Sequence, residues 1–187
     1  PSHDYGFTSN IDIEKHTNGE DADSPTGPYV KAGSTVTWEY YVTTTGSDPI
    51  GTVVVVDDNG TPGNTSDDVT LTLVSGDTDS DGYLDAGETW YYKATGTASA
   101  GQYGNIASVT GKDSDETTVS DSDPSHYYGY TSNIDIEKHT NGQDADSPTG
   151  PYVKVGSTVT WEYFVTTTGS DRIGSVVVVD DNGTPGN

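Results

Sequence analysis

The chain contains one long internal repeat. Residues 1–64 recur at 124–187, a spacing of 123 positions, and only seven of the 64 aligned positions differ. Solenoid repeats span roughly 20 to 50 residues, so this spacing indicates whole small domains in tandem. The predicted organisation is an inter-repeat linker at 1–8, a complete repeat at 9–123, a second linker at 124–131, and the first half of another repeat at 132–187.

Short strands separated by turn residues recur within one repeat. In Thr35–Thr45, for example, Val36, Trp38, Tyr40 and Val42 share one face. Period-two alternation of this kind indicates a strand with one buried face. No stretch has a helical period. The sequence predicts an all-β fold, an immunoglobulin-like β-sandwich, with strands near 11–15, 35–45, 50–56, 69–74, 90–97, 103–110 and 116–119.

An acidic loop, DTDSDGYLDAGE at residues 77–88, has the residue spacing of an EF-hand calcium loop. Glycine at the sixth position allows the sharp turn, and the twelfth residue closes such a site with two oxygens. Strand-like segments flank the loop, so we expect a calcium site between strands. The alternative is a solvated acidic turn. The predicted ligands are Asp77, Asp79, Asp81, the Tyr83 carbonyl, Asp85 and Glu88.

Other acidic residues are predicted as further calcium ligands, because sandwich loops cluster at the two ends of the sheets. The alternative is ordinary turn chemistry, which also uses Asp and Asn. Glu20 becomes Gln143 in the second copy, which argues against that side chain as an essential ligand. The predicted residues are Asp21, Asp23, Asp57, Asp58, Asp67, Asp68, Asp144, Asp146, Asp180 and Asp181, with Asp121 and Asp123 predicted to hold an ion between repeats.

The composition combines strong negative charge with few apolar residues. Thirty acidic residues against seven basic ones give a net charge of −23, which argues against nucleic acid and anionic membranes as partners. Hydrophobic residues make up only 29%, so we expect the fold to depend on bound metal. The chain lacks cysteine and has no apolar stretch near the ~20 residues that span a bilayer. This composition favours an extracellular, cell-surface protein.

Lys15 and Asn105 are candidates for a covalent cross-link. Lys15 shares a face with Ile11 and Ile13 on the first strand, and Asn105 shares one with Ala107 on a late strand. This placement is typical of intramolecular isopeptide bonds, which also require a buried acid. Glu39 lies on the opposite face from Trp38 and does not fit that role. The alternative is an ordinary ion pair between Lys15 and one of the many acids.

Residues 11–46, 53–98 and 103–111 together resemble the tandem Ig-like repeats of large bacterial and archaeal cell-surface proteins, including domains of unknown function. More distantly, they resemble the calcium-binding B repeats of staphylococcal serine-aspartate adhesins. The resemblance implies a calcium-stiffened sandwich that serves as a stalk, spacer or fibre element without catalysis.

Three functions follow from these patterns. The first is a structural repeat of an extracellular stalk, adhesin or self-assembling filament, with neighbouring repeats or other copies of the protein as partners. The half repeat is completed either by further chain or by another molecule, which would give a polymer. The second is a module that binds a surface glycan or protein through the tyrosine-rich joint between repeats, residues 120–133, or through exposed tryptophans. The third, an enzyme, has no motif in its favour.

Overall fold

A computed structural model describes residues 6–183. These residues form no helix, and so none that could cross a membrane. The chain divides into two compact units, the first ending at Gly129 and the second beginning at Tyr130. The strands are β1 (Asp12–Thr17), β2 (Glu20–Asp21), β3 (Tyr29–Lys31), β4 (Thr35–Thr43), β5 (Gly51–Asp57), β6 (Val69–Thr70), β7 (Leu73–Ser75), β8 (Thr89–Thr97), β9 (Gly101–Lys112), β10 (Thr118–Tyr130), β11 (Asp135–Thr140), β12 (Gln143–Asp144) and β13 (Trp161–Thr166).

The first unit consists of two five-stranded sheets that enclose one core. The strand orders are β2-β1-β4-β8-β7 and β3-β10-β9-β5-β6. The buried cluster draws Val42 and Trp90 from the first sheet and Val55 and Val109 from the second. The all-β class and the β-sandwich predicted from the sequence are therefore confirmed.

Strand β4 shows how the alternation produces the core. Its buried and partly exposed positions alternate along all nine residues, and Val36, Tyr40 and Val42 are fully buried. The strand pairs antiparallel with β1 on one side and with β8 on the other. Two ladders satisfy the backbone of β4, while its apolar face packs against the second sheet.

Strand β10 differs from the prediction. The second linker was expected at 124–131, yet β10 runs from Thr118 to Tyr130 and pairs with β9 through Gly129. Tyr127 is buried within the first unit and stacks on Tyr103, with ring centroids 4.7 Å apart. The first unit therefore extends past residue 123. The stretch predicted as a linker is a strand in which every second residue is buried.

The second unit contains one three-stranded sheet, in the order β12-β11-β13. Its register repeats that of β2-β1-β4, with Ile136 opposite Val165 where the first unit places Ile13 opposite Val42. Ile136 is 54% exposed, whereas Ile13 is 3% exposed. Residues 174–180, equivalent to β5, form no strand. Residues 1–5 of the predicted first linker and 184–187 of the predicted half repeat lie outside the described residues.

Candidate calcium loop and buried Lys–Asp–Asn cluster

The acidic loop 77–88 is anchored to the sandwich at both ends and in its middle. It follows β7, which ends at Ser75, and precedes β8, which begins at Thr89. Leu84, in the second half of the loop, is fully buried and belongs to the core. Its N–H donates to the Ile50 carbonyl at 2.8 Å, and the Ile50 N–H donates back at 3.1 Å. The loop is thus held in place by the fold.

Three predicted calcium ligands converge in the first half of this loop. Asp77, Asp79 and Asp81 each offer a carboxylate oxygen, and these oxygens lie within 4.8 Å of one another. Asp77 shapes the turn by accepting hydrogen bonds from the N–H groups of Ser80 (2.8 Å) and Gly82 (3.2 Å). Gly82 has a φ of +81°, in the left-handed region that favours glycine. The local sequence therefore gathers negative charge at one point.

Glu88 closes the loop from inside the sandwich. It is buried, and its Oε1 accepts hydrogen bonds from both the N–H and the hydroxyl of Thr78, each at 2.7 Å. Its Oε2 accepts from Trp90 Nε1 at 3.0 Å and from the Asp85 N–H at 3.3 Å. The hydrogen bonds from Thr78 are the main cause that lowers the pKa of Glu88 to about 2. Glu88 is therefore a carboxylate at neutral pH.

The carboxyl group of Asp85 lies close to the other acidic side chains of the loop. Partial burial, followed by repulsion from Asp81 and Asp79, raises the pKa of its carboxyl group. A cation would relieve this repulsion, and carboxylate and carbonyl oxygens are the ligands that calcium prefers. The residues present thus fit a calcium ion. Calcium binding itself remains a prediction.

Among the described residues, Asp144 and Asp146 are the only other predicted calcium residues that belong to a comparable group. Within the described residues, the one further group of three convergent carboxylates is Glu137 with Asp144 and Asp146 in the second unit. The sequence prediction included Asp144 and Asp146 but omitted Glu137, which alternation on β11 could have suggested. Asp21 and Asp23 lie close enough that Asp21 contributes, after burial, to raising the pKa of Asp23.

In the acidic loop after β5, carboxylates accept hydrogen bonds from other groups of the protein. Asp58 Oδ1 accepts from the N–H groups of Gly60 and Ile106, and Asp67 accepts from the Thr61 hydroxyl and the Asn64 amide. Asp68 is partly exposed and forms no carboxylate cluster with Asp57, Asp58 or Asp67 among the described residues. The turn chemistry weighed as the alternative describes these contacts.

Asp121 and Asp123 lie inside the first unit, on β10. Asp121 Oδ2 accepts the N–H of Ile13 at 3.0 Å, and Asp123 Oδ2 accepts the N–H of Lys15 at 2.7 Å. Burial is the main cause that raises the pKa of Asp123 to about 6, and nearby Asp23 adds to it. The two carboxylates predicted to hold an ion between repeats therefore bind the backbone of β1.

Lys15, Asp57 and Asn105 form a buried cluster between the two sheets. Lys15 Nζ lies 2.8 Å from Asp57 Oδ2, and Asn105 Nδ2 donates to Asp57 Oδ1 at 2.8 Å. Lys15 is fully buried, and Asp57 and Asn105 are 4% and 3% exposed. Tyr40 adds a hydrogen bond from its hydroxyl to Asp57 Oδ2 at 2.7 Å. Asp57, predicted as a calcium ligand, thus has both oxygens engaged by buried partners.

The sequence indicated Lys15 and Asn105 but assigned no acid to them. Asp57 ends the apolar strand β5, and its parity matches that of the fully buried Val55. That parity was the available signal, hidden because an acidic turn follows at once. Burial is the main cause that lowers the pKa of Lys15, although the charge of Asp57 opposes the shift.

The second unit repeats part of this cluster. Lys138 Nζ lies 2.5 Å from Asp180 Oδ2, and the Tyr163 hydroxyl also donates to that oxygen. No asparagine side chain of the described residues donates to Asp180. The lysine and aspartate are therefore repeated without the amide.

No protein-family model matches the chain, and no curated protein matches it. Among solved structures it is similar to BcpA, the major pilin subunit of Bacillus cereus, with 11% identity and a TM-score of 0.44, covering 84% of this chain and 55% of the pilin. A variant of the same pilin gives 12% identity and a TM-score of 0.46, covering 86% and 56%. The chain thus spans about half the length of these structures.

Proposed function

We propose that this chain is a non-catalytic structural part of an extracellular stalk, adhesin or filament, rigidified by calcium at residues 77–88. The observation that carries the proposal is the construction of the acidic loop. Asp77, Asp79 and Asp81 converge at its exposed side, while Leu84 and Glu88 fix its other side to the sandwich core. An ion bound there would connect a surface loop to the rigid part of the fold.

Charge supports a role for the ion in stability. The chain carries a net charge of −23, and the loop concentrates several carboxylates within a few residues. Such repulsion opposes compaction, and a divalent cation removes it. Extracellular calcium modules bind with dissociation constants of ~0.1–1 mM, so this loop would be filled outside a cell.

The repetition of the sequence supports a spacer or filament. Two copies of a 64-residue segment differ at only seven positions. A spacer requires length and stiffness and places no demand for diversity on its repeats. Recognition surfaces, by contrast, gain specificity from varied side chains.

Calorimetric titration of the 187-residue chain with calcium tests the proposal. We expect heat from binding near 0.1–1 mM, and weaker binding of magnesium, which prefers smaller octahedral sites. Asp79→Asn should weaken calcium binding by tenfold or more. Asp115→Asn is the matched control, because it removes the same charge from an exposed position outside the loop. Equal binding by both variants, or no binding by the parent chain, would contradict a calcium site at 77–88.

A further inference from the structure

The buried polar cluster of Lys15, Asp57 and Asn105 contains two atoms without hydrogen-bond partners. These are Nζ of Lys15, whose contact with Asp57 lacks hydrogen-bond geometry, and Oδ1 of Asn105. Polar atoms this deeply buried are normally hydrogen-bonded, since an unpaired one costs about 1–3 kcal/mol. The buried amine and the buried amide thus both retain hydrogen-bonding capacity beside one carboxylate.

We propose that the side chains of Lys15 and Asn105 become joined by an amide bond, with Asp57 transferring the proton. Lys15 contacts one oxygen of the Asp57 carboxylate and Asn105 contacts the other. The amine and the amide therefore lie beside the two oxygens of one carboxylate group. The same carboxylate can reach both the nitrogen that attacks and the nitrogen that leaves.

The reaction balances without an outside reagent. Neutral Nζ of Lys15 attacks Cγ of Asn105, and a C–N bond forms. The bond from Cγ to Nδ2 then breaks, and Nδ2 leaves as ammonia. Asp57 accepts a proton from the attacking nitrogen and returns it to the leaving one, so the carboxylate ends unchanged. The products are one secondary amide and one ammonia, with no oxidation or reduction.

The surroundings favour this step. Burial lowers the pKa of Lys15, which increases the share of neutral amine available to attack. Burial also excludes water that would compete for the amide carbon. The Tyr40 hydroxyl holds Oδ2 of Asp57 in position. These features come from β1, β4, β5 and β9, which the sandwich fixes relative to one another.

The bond would join the two sheets of the first unit covalently. Lys15 lies on β1 in one sheet and Asn105 on β9 in the other, 90 positions apart in the chain. A covalent link across this distance limits how far the unfolded chain can expand, as a disulfide does in proteins that have cysteine. The proposal stands independently of calcium, because none of the three residues lies in the 77–88 loop.

Intact-mass measurement of the folded 187-residue chain tests the bond directly. Loss of one ammonia should lower the mass by about 17 Da relative to the sequence. Trypsin should then release a species that joins residues 1–31 to residues 94–112, with Lys15 uncut. This species separates the bond from loss of ammonia at Asn-Gly sites such as Asn59-Gly60, which would leave these peptides unlinked.

Asp57→Asn and Lys138→Met complete the experiment. Asp57→Asn keeps the shape of the side chain but removes its basicity, so the full sequence mass should return. Lys138→Met is the matched control in the second unit, where no asparagine side chain among the described residues is a partner of Asp180, and the loss of about 17 Da should persist. A folded parent chain with full mass and free peptides 1–15 and 94–112 would overturn the bond, even if a variant failed to fold. Retention of the cross-link in Asp57→Asn would overturn the role of Asp57.

Discussion

The backbone N–H of Lys15 donates a 2.7 Å hydrogen bond to Oδ2 of Asp123, which joins β1 of one sheet to β10 of the other. The contact belongs to a series with a two-residue spacing. Ile13 donates to Asp121, and the Thr17 and Ser125 hydroxyls form a 2.6 Å hydrogen bond. Side chains of β10 thus satisfy the open edge of β1, which β2 covers only near residues 16 and 17. The two sheets are closed on this side by polar contacts.

Truncation tests where the first unit ends. A chain that stops at residue 123 loses Ser125 and Tyr127, which are 0% and 1% exposed. Loss of a buried aromatic side chain alone costs about 3–5 kcal/mol. We therefore expect the chain 1–123 to unfold at a much lower temperature than the chain 1–131, measured by circular dichroism. Equal melting temperatures would place the boundary at 123, as the sequence suggested.

The Asp123→Asn variant tests how much stability the protein loses by burying the charged carboxylate of Asp123 between β1 and β10. The folded-state pKa of Asp123, about 6, lies above the usual value for an aspartate, so the folded protein binds this proton more tightly than the unfolded chain. Stability is then lost as pH rises from about 4 to 6. Asparagine keeps an oxygen for the Lys15 N–H and carries no charge. We expect Asp123→Asn to be more stable than the parent by about 1–2 kcal/mol at pH 7.

Urea unfolding at pH 4 and pH 7 measures this difference. The variant and the parent should be nearly equal at pH 4, where Asp123 is protonated. A constant difference at both pH values would contradict the assigned proton. The relevant neighbours are Asp23, Glu14 and Asp21, which add repulsion, and the Lys15 N–H, which opposes the shift.

Glu88→Gln separates the structural role of this residue from metal binding. Its two oxygens accept hydrogen bonds from Thr78, Asp85 and Trp90 without any ion. The substitution should therefore cost about 1–3 kcal/mol even in the presence of a chelator. Asp79→Asn should be nearly neutral with chelator and destabilising with calcium. Thermal unfolding of both variants under both conditions checks this, and identical behaviour would refute the division of roles.

Two glycines distinguish backbone strain from steric contact. Gly76 has a φ of +120°, and a Cβ there would lie 2.1 Å from the Thr89 carbonyl oxygen. Gly33 has a φ of +84° and open space around the same position. In both alanine variants the positive φ lowers the free energy of unfolding by about 1–2 kcal/mol. We expect Gly76→Ala to cost about 1–3 kcal/mol more, because backbone must move. Equal free energies of unfolding would show that the loop relaxes freely.

Much of the sandwich was predictable because its strands alternate. In β4 and β8 the buried residues fall on one face, and this alternation can be read from each strand's own sequence. The second half of β10 was missed for a physical reason. Asp123 and Ser125 are buried only because β1 supplies N–H and hydroxyl partners, and partners 108 positions away leave no local pattern. Pro124 fits within β10 because the outer neighbour of β10 is the three-residue strand β3, so that side of β10 is largely an edge.

The 77–88 loop and the cluster of Lys15, Asp57 and Asn105 show the same difference between features that local sequence reveals and features that depend on the fold. The ligand spacing of residues 77–88 is local, so the sequence alone predicted the convergence of Asp77, Asp79 and Asp81. The anchoring of Leu84 depends on Ile50, a residue far from it in the chain, and was not predicted. Lys15 and Asn105 were identified from strand parity, whereas Asp57 was assigned to calcium because an acidic turn follows it. Burial distinguishes Asp57 from its neighbours, and burial is a property of the fold.

Thermal unfolding of the 187-residue chain with 1 mM calcium, and then with excess chelator, tests the calcium-rigidified module most directly. For a dissociation constant near 0.1 mM, 1 mM calcium should add about 1.4 kcal/mol of stability. The melting temperature should therefore rise by about 3–8 °C, and magnesium should not replace calcium. The same melting temperature in calcium and in chelator would contradict the account, and would leave residues 77–88 as a solvated acidic turn.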